Sequence, residues 1–247
     1  MFRARIDASI LRECVDAVLA VVDEARLKIG ESAWKVRAVD PANVALVDLE
    51  LRRDAFDEYN AEGEAEGEGE KVIGVSFDKL RDVLRFATGD ISLDVGGDKI
   101  VLQSSAYAYT LSLLDPSSLR AEPKIPELEF STRIVIDADD FKKVLKAAEK
   151  ISDKITIGVQ NESFFVEAEG DMETMRYSLH KDELGHLSGG DCRSLFSLEY
   201  LAAMAKGISS ETLTLFIGTD YPLKMEFEIA DGSGRVIYLL APRIEAE

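Results

Sequence analysis

The stretch RIDASILRECVDAVLAVV at residues 5–22 returns as VIDADDFKKVLKAAEKIS at residues 135–152: a short strand, an aspartate, then an amphipathic helix. Asp7 meets Asp137 and Val36 meets Val166 at one offset, 130 residues. A second pair, VSFDKLRDVLRFATGDISL (75–93) and FSLEYLAAMAKGISSETLTL (196–215), keeps the order, but Ser76 meets Ser197 at an offset of 121. A chain that repeats its strand and helix order at about half its length is expected to fold as two similar domains. The nine-residue drop falls on NAEGEAEGEGEK (60–71), where Glu and Gly alternate and nothing is apolar enough to anchor a strand. That segment reads as a solvated loop inserted in the first copy.

Each copy carries two helices, and the remaining segments alternate apolar and polar residues with the period of a strand, as in VALVDLEL (44–51) and YAYTLSLL (107–114). GGD (96–98) and DGSG (231–234) supply the glycines that tight hairpin turns require. Two helices on one side of largely antiparallel sheet make an α+β fold, twice over. Between the copies, LDPSSLRAEPKIPELEF (114–130) holds prolines at 116, 123 and 126, which deny it helix and keep it extended. The expected division is a first domain over 1–114, a connector over 115–130 and a second domain over 131–247.

No apolar run reaches the ~18 residues of a membrane helix, and the N-terminus lacks a signal-peptide core, so a cytoplasmic protein is expected. Cys14 and Cys192 are too few for a disulfide framework and read as buried thiols. The 29 basic against 47 acidic residues leave a net charge of −18, which taken whole argues against a nucleic-acid partner. Binding, however, depends on where the positive charges sit.

They sit on helices. In the helix read over 137–151, Phe141, Val144, Leu145, Ala148 and Ile151 form one stripe, and Lys143, Lys146 and Lys150 recur on the other side. In the helix read over 77–87, Leu80, Val83, Leu84 and Ala87 point inward, with Arg81 and Arg85 one turn apart outside. Arg12 and Lys206 occupy outer faces of the other two. Acids dominate the inserted loop, the linker and the C-terminal tail, so the folded body can present a positive helical face and negative outer surfaces.

RAVDPANVALV (37–47), KIPELEF (124–130), YPLKMEFEIADGSG (221–234) and APRIE (241–245) together resemble the DNA sliding clamp family of the proliferating cell nuclear antigen type, in its archaeal form. The resemblance spans essentially the whole chain and keeps the motif order. It implies the DNA-clamp fold, with three subunits of two domains closing into a pseudo-sixfold ring, helices lining the hole and sheets forming the outer wall. It implies a non-enzymatic processivity factor that encircles duplex DNA without reading sequence and needs no cofactor and no metal. Its expected partners are itself, as a homotrimer, and DNA polymerase, clamp loader, DNA ligase and flap endonuclease, bound through PIP-box peptides.

By the same resemblance, Arg12, Lys79, Arg81, Arg85, Lys143, Lys146, Lys150 and Lys206 face DNA. Glu13, Leu19, Asp82 and Glu199 stand where eukaryotic members carry basic residues. Val39, Asn43, Val44, Leu46, Ile125, Pro126, Phe130, Pro222, Leu239, Ala241, Pro242 and Arg243 form a partner-peptide pocket, with Asn43 and Arg243 at its rim. The pocket accepts a short turn of helix with aromatic anchors. Subunits join by edge strands, with Tyr107, Tyr109 and Leu111 in segment 106–114 and Met175, Tyr177 and Leu179 in segment 172–179.

Enzymatic readings are poorly served. The phosphate loop GxxxxGK[ST], GxSxG, HExxH and the dinucleotide fingerprint are all missing. HKDELGH (180–186) suggests a zinc site of His180, Asp182, His186 and Cys192, but a His spacing of six suits neither one helix face nor a usual structural pair. Asp40 and Asp48, imagined as nuclease carboxylates, lack a convergent partner. A β-rich interaction module without DNA would share the apolar pocket but form no ring.

Overall fold

The computed structural model describes residues 2–61 and 70–244. Most of the acidic insertion expected over 60–71 lies outside the described residues. The first copy runs β1 (Phe2–Asp7), α1 (Ala8–Leu19), β2 (Glu24–Ile29), β3 (Ala33–Val39), β4 (Ala45–Arg52), β5 (Glu58–Asn60), β6 (Lys71–Ser76), α2 (Phe77–Leu84), β7 (Asp90–Gly96), β8 (Lys99–Ser104) and β9 (Tyr107–Ser112). The second runs β10 (Thr132–Asp137), α3 (Ala138–Ala148), β11 (Lys154–Gln160), β12 (Ser163–Glu169), β13 (Thr174–His180), β14 (His186–Ser188), β15 (Cys192–Ser197), α4 (Leu198–Lys206), β16 (Thr212–Ile217), β17 (Leu223–Ile229) and β18 (Gly234–Leu240).

Two compact units result: residues 1–40, 47–123 and 228–236 in one, and 41–46, 124–227 and 237–247 in the other. In unit 1 the strands lie in the order β5-β1-β7-β8-β9, with β6, β2 and β3 hydrogen-bonded in a second set. In unit 2 the orders are β13-β12-β11-β15 and β14-β10-β16-β17. The ladders are antiparallel. β9 and β13 are therefore edge strands, each bonded on one side only among the described residues.

The repeat visible in the sequence is carried by the same local chemistry in both copies. Asp7 and Asp137 each stand at the N-cap: the Asp7 carboxylate accepts the Ser9 N–H at 2.6 Å, and Asp137 accepts that of Asp140 at 2.9 Å. Each satisfies a helix amide that has no partner inside the helix. Ala8 N–H donates to Gly89 O (2.9 Å) as Ala138 N–H does to Glu211 O (2.8 Å). Phe77 N–H reaches Asp23 O and Leu198 N–H reaches Asp153 O in the same way.

Each helix buries a stripe at three- and four-residue spacing: Leu11, Cys14, Val15 and Val18 on α1, Phe77, Leu80 and Leu84 on α2, Phe141, Val144, Leu145 and Ala148 on α3, and Leu198, Leu201, Met204 and Ala205 on α4. Burying each large side chain stabilises its unit by roughly 1.5–3 kcal/mol. None of these helices is long and apolar enough to cross a membrane. Burial pushes the thiols of Cys14 and Cys192 above their ordinary range.

Three boundaries differ from the sequence reading. α3 ends at Ala148, so Lys150 and the half-buried Ile151 belong to the following turn. α2 ends at Leu84, which leaves Arg85 and Ala87 beyond it. The linker is not wholly extended: Pro116–Ser118 makes one 3-10 turn, capped by the Asp115 carboxylate on Ser117 N–H (2.8 Å). Proline at the first position of such a turn removes only an amide that would lack a partner anyway.

The first part of the linker is fixed to the sheet of unit 1. Leu114 N–H donates to Gly74 O at 2.9 Å, an approach so close that a Cβ at position 74 would overlap the Leu114 carbonyl. Arg26 donates to Leu119 O at 2.9 Å, Arg120 donates to Asp40 O, and Glu122 pairs with Lys28 and with Arg37 (3.5 Å).

Candidate functional site

The cations expected on the helices divide into two kinds. Lys79, Arg81, Arg85, Lys143, Lys146, Lys150 and Lys206 are exposed. Lys143 pairs with Asp140 at 3.0 Å and Arg85 with Asp82 at 3.5 Å, both one helical turn apart and solvated, contacts worth little energetically. Their charge stays available to a stronger anion. Arg12 is different. It is half-buried, and its guanidinium donates to Leu84 O at 3.2 Å and Ala87 O at 2.7 Å, satisfying carbonyls where α2 ends. Glu13 is likewise engaged, its carboxylate accepting the Ala230 N–H at 3.1 Å.

The residues expected to hold a partner peptide fall mostly in unit 2, with Val39 in unit 1. Ala241 N–H donates to Val44 O at 2.9 Å, which brings the segment after β18 beside the loop holding Asn43, whose φ is +58°. Leu46 and Leu239 are buried, while Val44, Pro222, Ala241 and Pro242 are half-buried. Ile125 and Pro126 are exposed on the linker and Phe130 is half-buried at its end. The Phe130 ring sits 5.9 Å from Phe216 and 5.6 Å, edge-on, from Tyr221.

Phe216 and Tyr221 escape the sequence reading. Phe216 continues the outward phase of Thr212 and Thr214 on β16, so an aromatic at a polar-phase position was the available signal. Lys224 lies over the Phe216 ring, the ammonium 4.4 Å from its centre. Tyr221 is held by Ser194, whose buried hydroxyl accepts Tyr221 N–H (2.9 Å) and donates to Gly218 O (2.8 Å). Arg243 turns to another edge: its N–H donates to Leu195 O (2.7 Å) and its guanidinium lies 3.3 Å from the Asp153 carboxylate.

The expected joining strands present Tyr107 exposed, Tyr109 and Leu111 half-buried on β9, and Met175, Tyr177 and Leu179 half-buried on β13. Alternate side chains are thus partly covered along β13, and along β9 from Tyr109 onward, and the open backbone row is free to pair.

The groups weighed as catalytic have other work. His180 ends β13, with Nδ1 3.1 Å from the Asp182 carboxylate, while its N–H donates to Glu183 at 2.9 Å. His186 lies exposed on β14 and Cys192 is buried on β15. Among the described residues no three His, Cys, Asp or Glu side chains converge on a metal position. Asp48 pairs with Arg37 at 2.9 Å, a bond that raises the guanidinium's affinity for its proton.

Residues 1–115 match the family model described as Proliferating cell nuclear antigen, N-terminal domain, and residues 124–243 match its C-terminal domain counterpart. The chain is 43% identical to the DNA polymerase sliding clamp of Methanococcoides burtonii and 44% identical to that of Methanosarcina barkeri, each over 100% of both chains. Among solved structures it is similar to A. fulgidus PCNA bound to the C-terminal region of FEN-1, with 38% identity, a TM-score of 0.92 and 100% of each chain covered. PCNA from Thermococcus kodakaraensis gives 25% identity and a TM-score of 0.88, covering 98% of this chain and 100% of that one.

Proposed function

Because this chain belongs to the proliferating cell nuclear antigen family, we propose that it is a DNA sliding clamp subunit. Three copies close into a ring around duplex DNA and tether polymerase and other replication and repair enzymes to it. The observation that carries this reading is end-to-end identity of 43–44% with curated sliding clamps. The clamp is a non-catalytic processivity factor; the enzymes it tethers do the chemistry. It acts on DNA in the cell interior, and the cytoplasm is its proposed compartment.

The physics favours a ring over a groove. Each phosphate neutralised by a lysine or arginine contributes a salt slope of only about −0.9, so a few solvated cations bind weakly and let go readily. Long residence then comes from topology, while sliding stays unhindered. A body of net charge −18 is repelled by DNA everywhere except along its cationic helices, which disfavours adhesion from outside the ring.

Within this reading, 115–130 is the connector between two clamp domains, and Lys79, Arg81, Arg85, Lys143, Lys146, Lys150 and Lys206 line the channel. Ile125, Pro126 and Phe130 form the accessible wall of the peptide site, with Phe216 and Tyr221 behind Phe130. β9 of one copy pairs with β13 of the next. FEN-1 is bound through its C-terminal region in the similar A. fulgidus complex, and a segment of that kind is the proposed occupant here.

The test is retention on DNA. After sedimentation equilibrium shows a species of three times 27.2 kDa, the protein is loaded on nicked circular DNA and the circle is cut. Retention on the circle with loss after linearisation is the expected result. Equal retention on both forms, or a persistent 27.2 kDa monomer, overturns the encircling homotrimer.

A further inference from the structure

The two most exposed aromatic rings among the described residues are Phe86, 68% exposed, and Tyr107, 59% exposed. They belong to adjoining pieces of unit 1. The Ser104 hydroxyl donates to Thr88 O at 3.1 Å and accepts Thr88 N–H at 3.4 Å, and Ser104 is the cross-strand neighbour of Tyr107 in the β8–β9 ladder. The turn after α2 is thereby stitched to the strand end where Tyr107 stands. Tyr107 in turn stacks on Tyr109 with ring centres 6.1 Å apart. Phe86 stands two residues before Thr88, so its backbone is held near the end of the open edge that carries the stacked tyrosines. Exposed aromatic residues gathered at one edge are typical of the buried centre of an interface.

The occupant follows from which side of the sheet the stacked tyrosines occupy. Leu111 of β9 lies with Leu80 and Phe77 of α2 around one apolar hollow, so its side of the sheet is the α2 side. Tyr177 of β13 lies on the α3 side: its cross-strand neighbour Val166 is fully buried on β12, the strand against which α3 packs, while Arg176 and Glu167 pair on the opposite, exposed face. Joining β9 of one copy to β13 of the next with their covered sides in phase places α2 beside the neighbour's α3. The charges suit that placement, since Arg81 and Arg85 stand at the end of α2 and Asp139 and Asp140 in the first turn of α3.

We infer that Phe86 is an anchor of the contact between copies of this chain, its ring seated on the next copy's Tyr177 and the first two turns of α3, against the stem and ammonium of Lys143. This rests on the reading of β9 and β13 as the joining edges. An aromatic face accepts a lysine ammonium, and the ring covers the side chain's methylene stem at the same time. Phe86 is thus a solvated ring in the monomer and a covered one in the ring, which ties closure to burial of apolar surface as well as to backbone pairing.

The experiment places photoreactive p-benzoylphenylalanine at position 86 of the full chain, irradiates the assembled protein and maps the cross-linked peptides. In parallel, trimer dissociation of Phe86→Ala is followed by sedimentation across a dilution series. The expected results are cross-links between chains to residues 138–148 or 174–180, and a dissociation constant raised about 30-fold with the monomer's thermal midpoint unchanged. A trimer with no such cross-links, together with an unchanged dissociation constant, overturns the role of Phe86 and leaves the ring standing. A wild-type chain that forms no trimer removes the ring reading and this inference together.

Discussion

The hydroxyl of Tyr221 accepts the backbone N–H of Glu129 at 3.3 Å, which fastens the end of the linker to the turn between β16 and β17 next to the point where the Phe130 ring enters the aromatic cluster. The linker is thus held at both ends, by charged groups of unit 1 over 119–122 and by this bond at 129, with Ile125 and Pro126 exposed between. Replacing Phe130 and Pro126 together by Ala is expected to weaken a FEN-1 C-terminal peptide by about 10- to 100-fold in fluorescence anisotropy, without changing the assembled mass. Tyr221→Phe keeps the ring and removes one hydrogen bond, so a loss of only a few fold is expected. Undiminished affinity in the double variant would move the peptide site elsewhere.

Lys146, Lys150 and Lys206 are exposed, and among the described residues no strong acidic partner competes with phosphate for them. Changing all three to Glu is expected to lower DNA-dependent retention and polymerase stimulation on primed circles. The slope of log affinity against log salt should fall by about one for each phosphate that is no longer neutralised. An unchanged slope would take these positions off the DNA path.

The duplication and the helical stripes were legible in the sequence because each is written in residue pattern: a recurring order of strand and helix, and an apolar spacing of three and four. Asp7 and Asp137 can be recognised as repeats of one cap from the aligned copies alone, and the structure gives them the same amide-accepting role. What was not legible depends on distant chain. Nothing near Arg12 announces that its guanidinium will be taken by carbonyls 72 and 75 positions away. Phe216 and Tyr221 look like ordinary strand and turn residues until Phe130 is placed beside them. The ends of α2 and α3 lie three residues before the sequence reading puts them, since the apolar spacing continues into the closing turns at Ala87 and Ile151 after the helical hydrogen bonds have stopped.

The cap of α1 gives a pH-dependent expectation. Hydrogen bonds from the Ser9 hydroxyl (2.5 Å) and N–H hold the Asp7 carboxyl below its ordinary range. The folded value lies below the unfolded one, so the ionised cap stabilises the fold above the ordinary carboxylate range, and that contribution is lost as pH falls through the depressed value. Asp7→Ala is expected to cost about 1 kcal/mol near neutrality in denaturant titrations. The gap between variant and wild type should close in acid. A gap independent of pH would mean that the carboxylate is not what caps the helix.

Arg12 is a cation with a structural task inside unit 1. Its two donations to Leu84 O and Ala87 O are charge-assisted and partly shielded from water, the circumstances in which a hydrogen bond contributes most. Arg12→Met keeps much of the side chain's packing and removes both charged donors: Ala87 O loses the guanidinium, and Leu84 O keeps only the long bond from Ala87 N–H at 3.3 Å. A loss of about 1.5–3 kcal/mol is expected, read as a lowered denaturation midpoint at unchanged slope. Its effect on the salt dependence of DNA retention should be smaller than that of Lys146→Glu, because the guanidinium is already committed inside unit 1. The opposite ranking, with stability intact and salt dependence reduced, would show that Arg12 leaves these carbonyls for phosphate when DNA enters the ring.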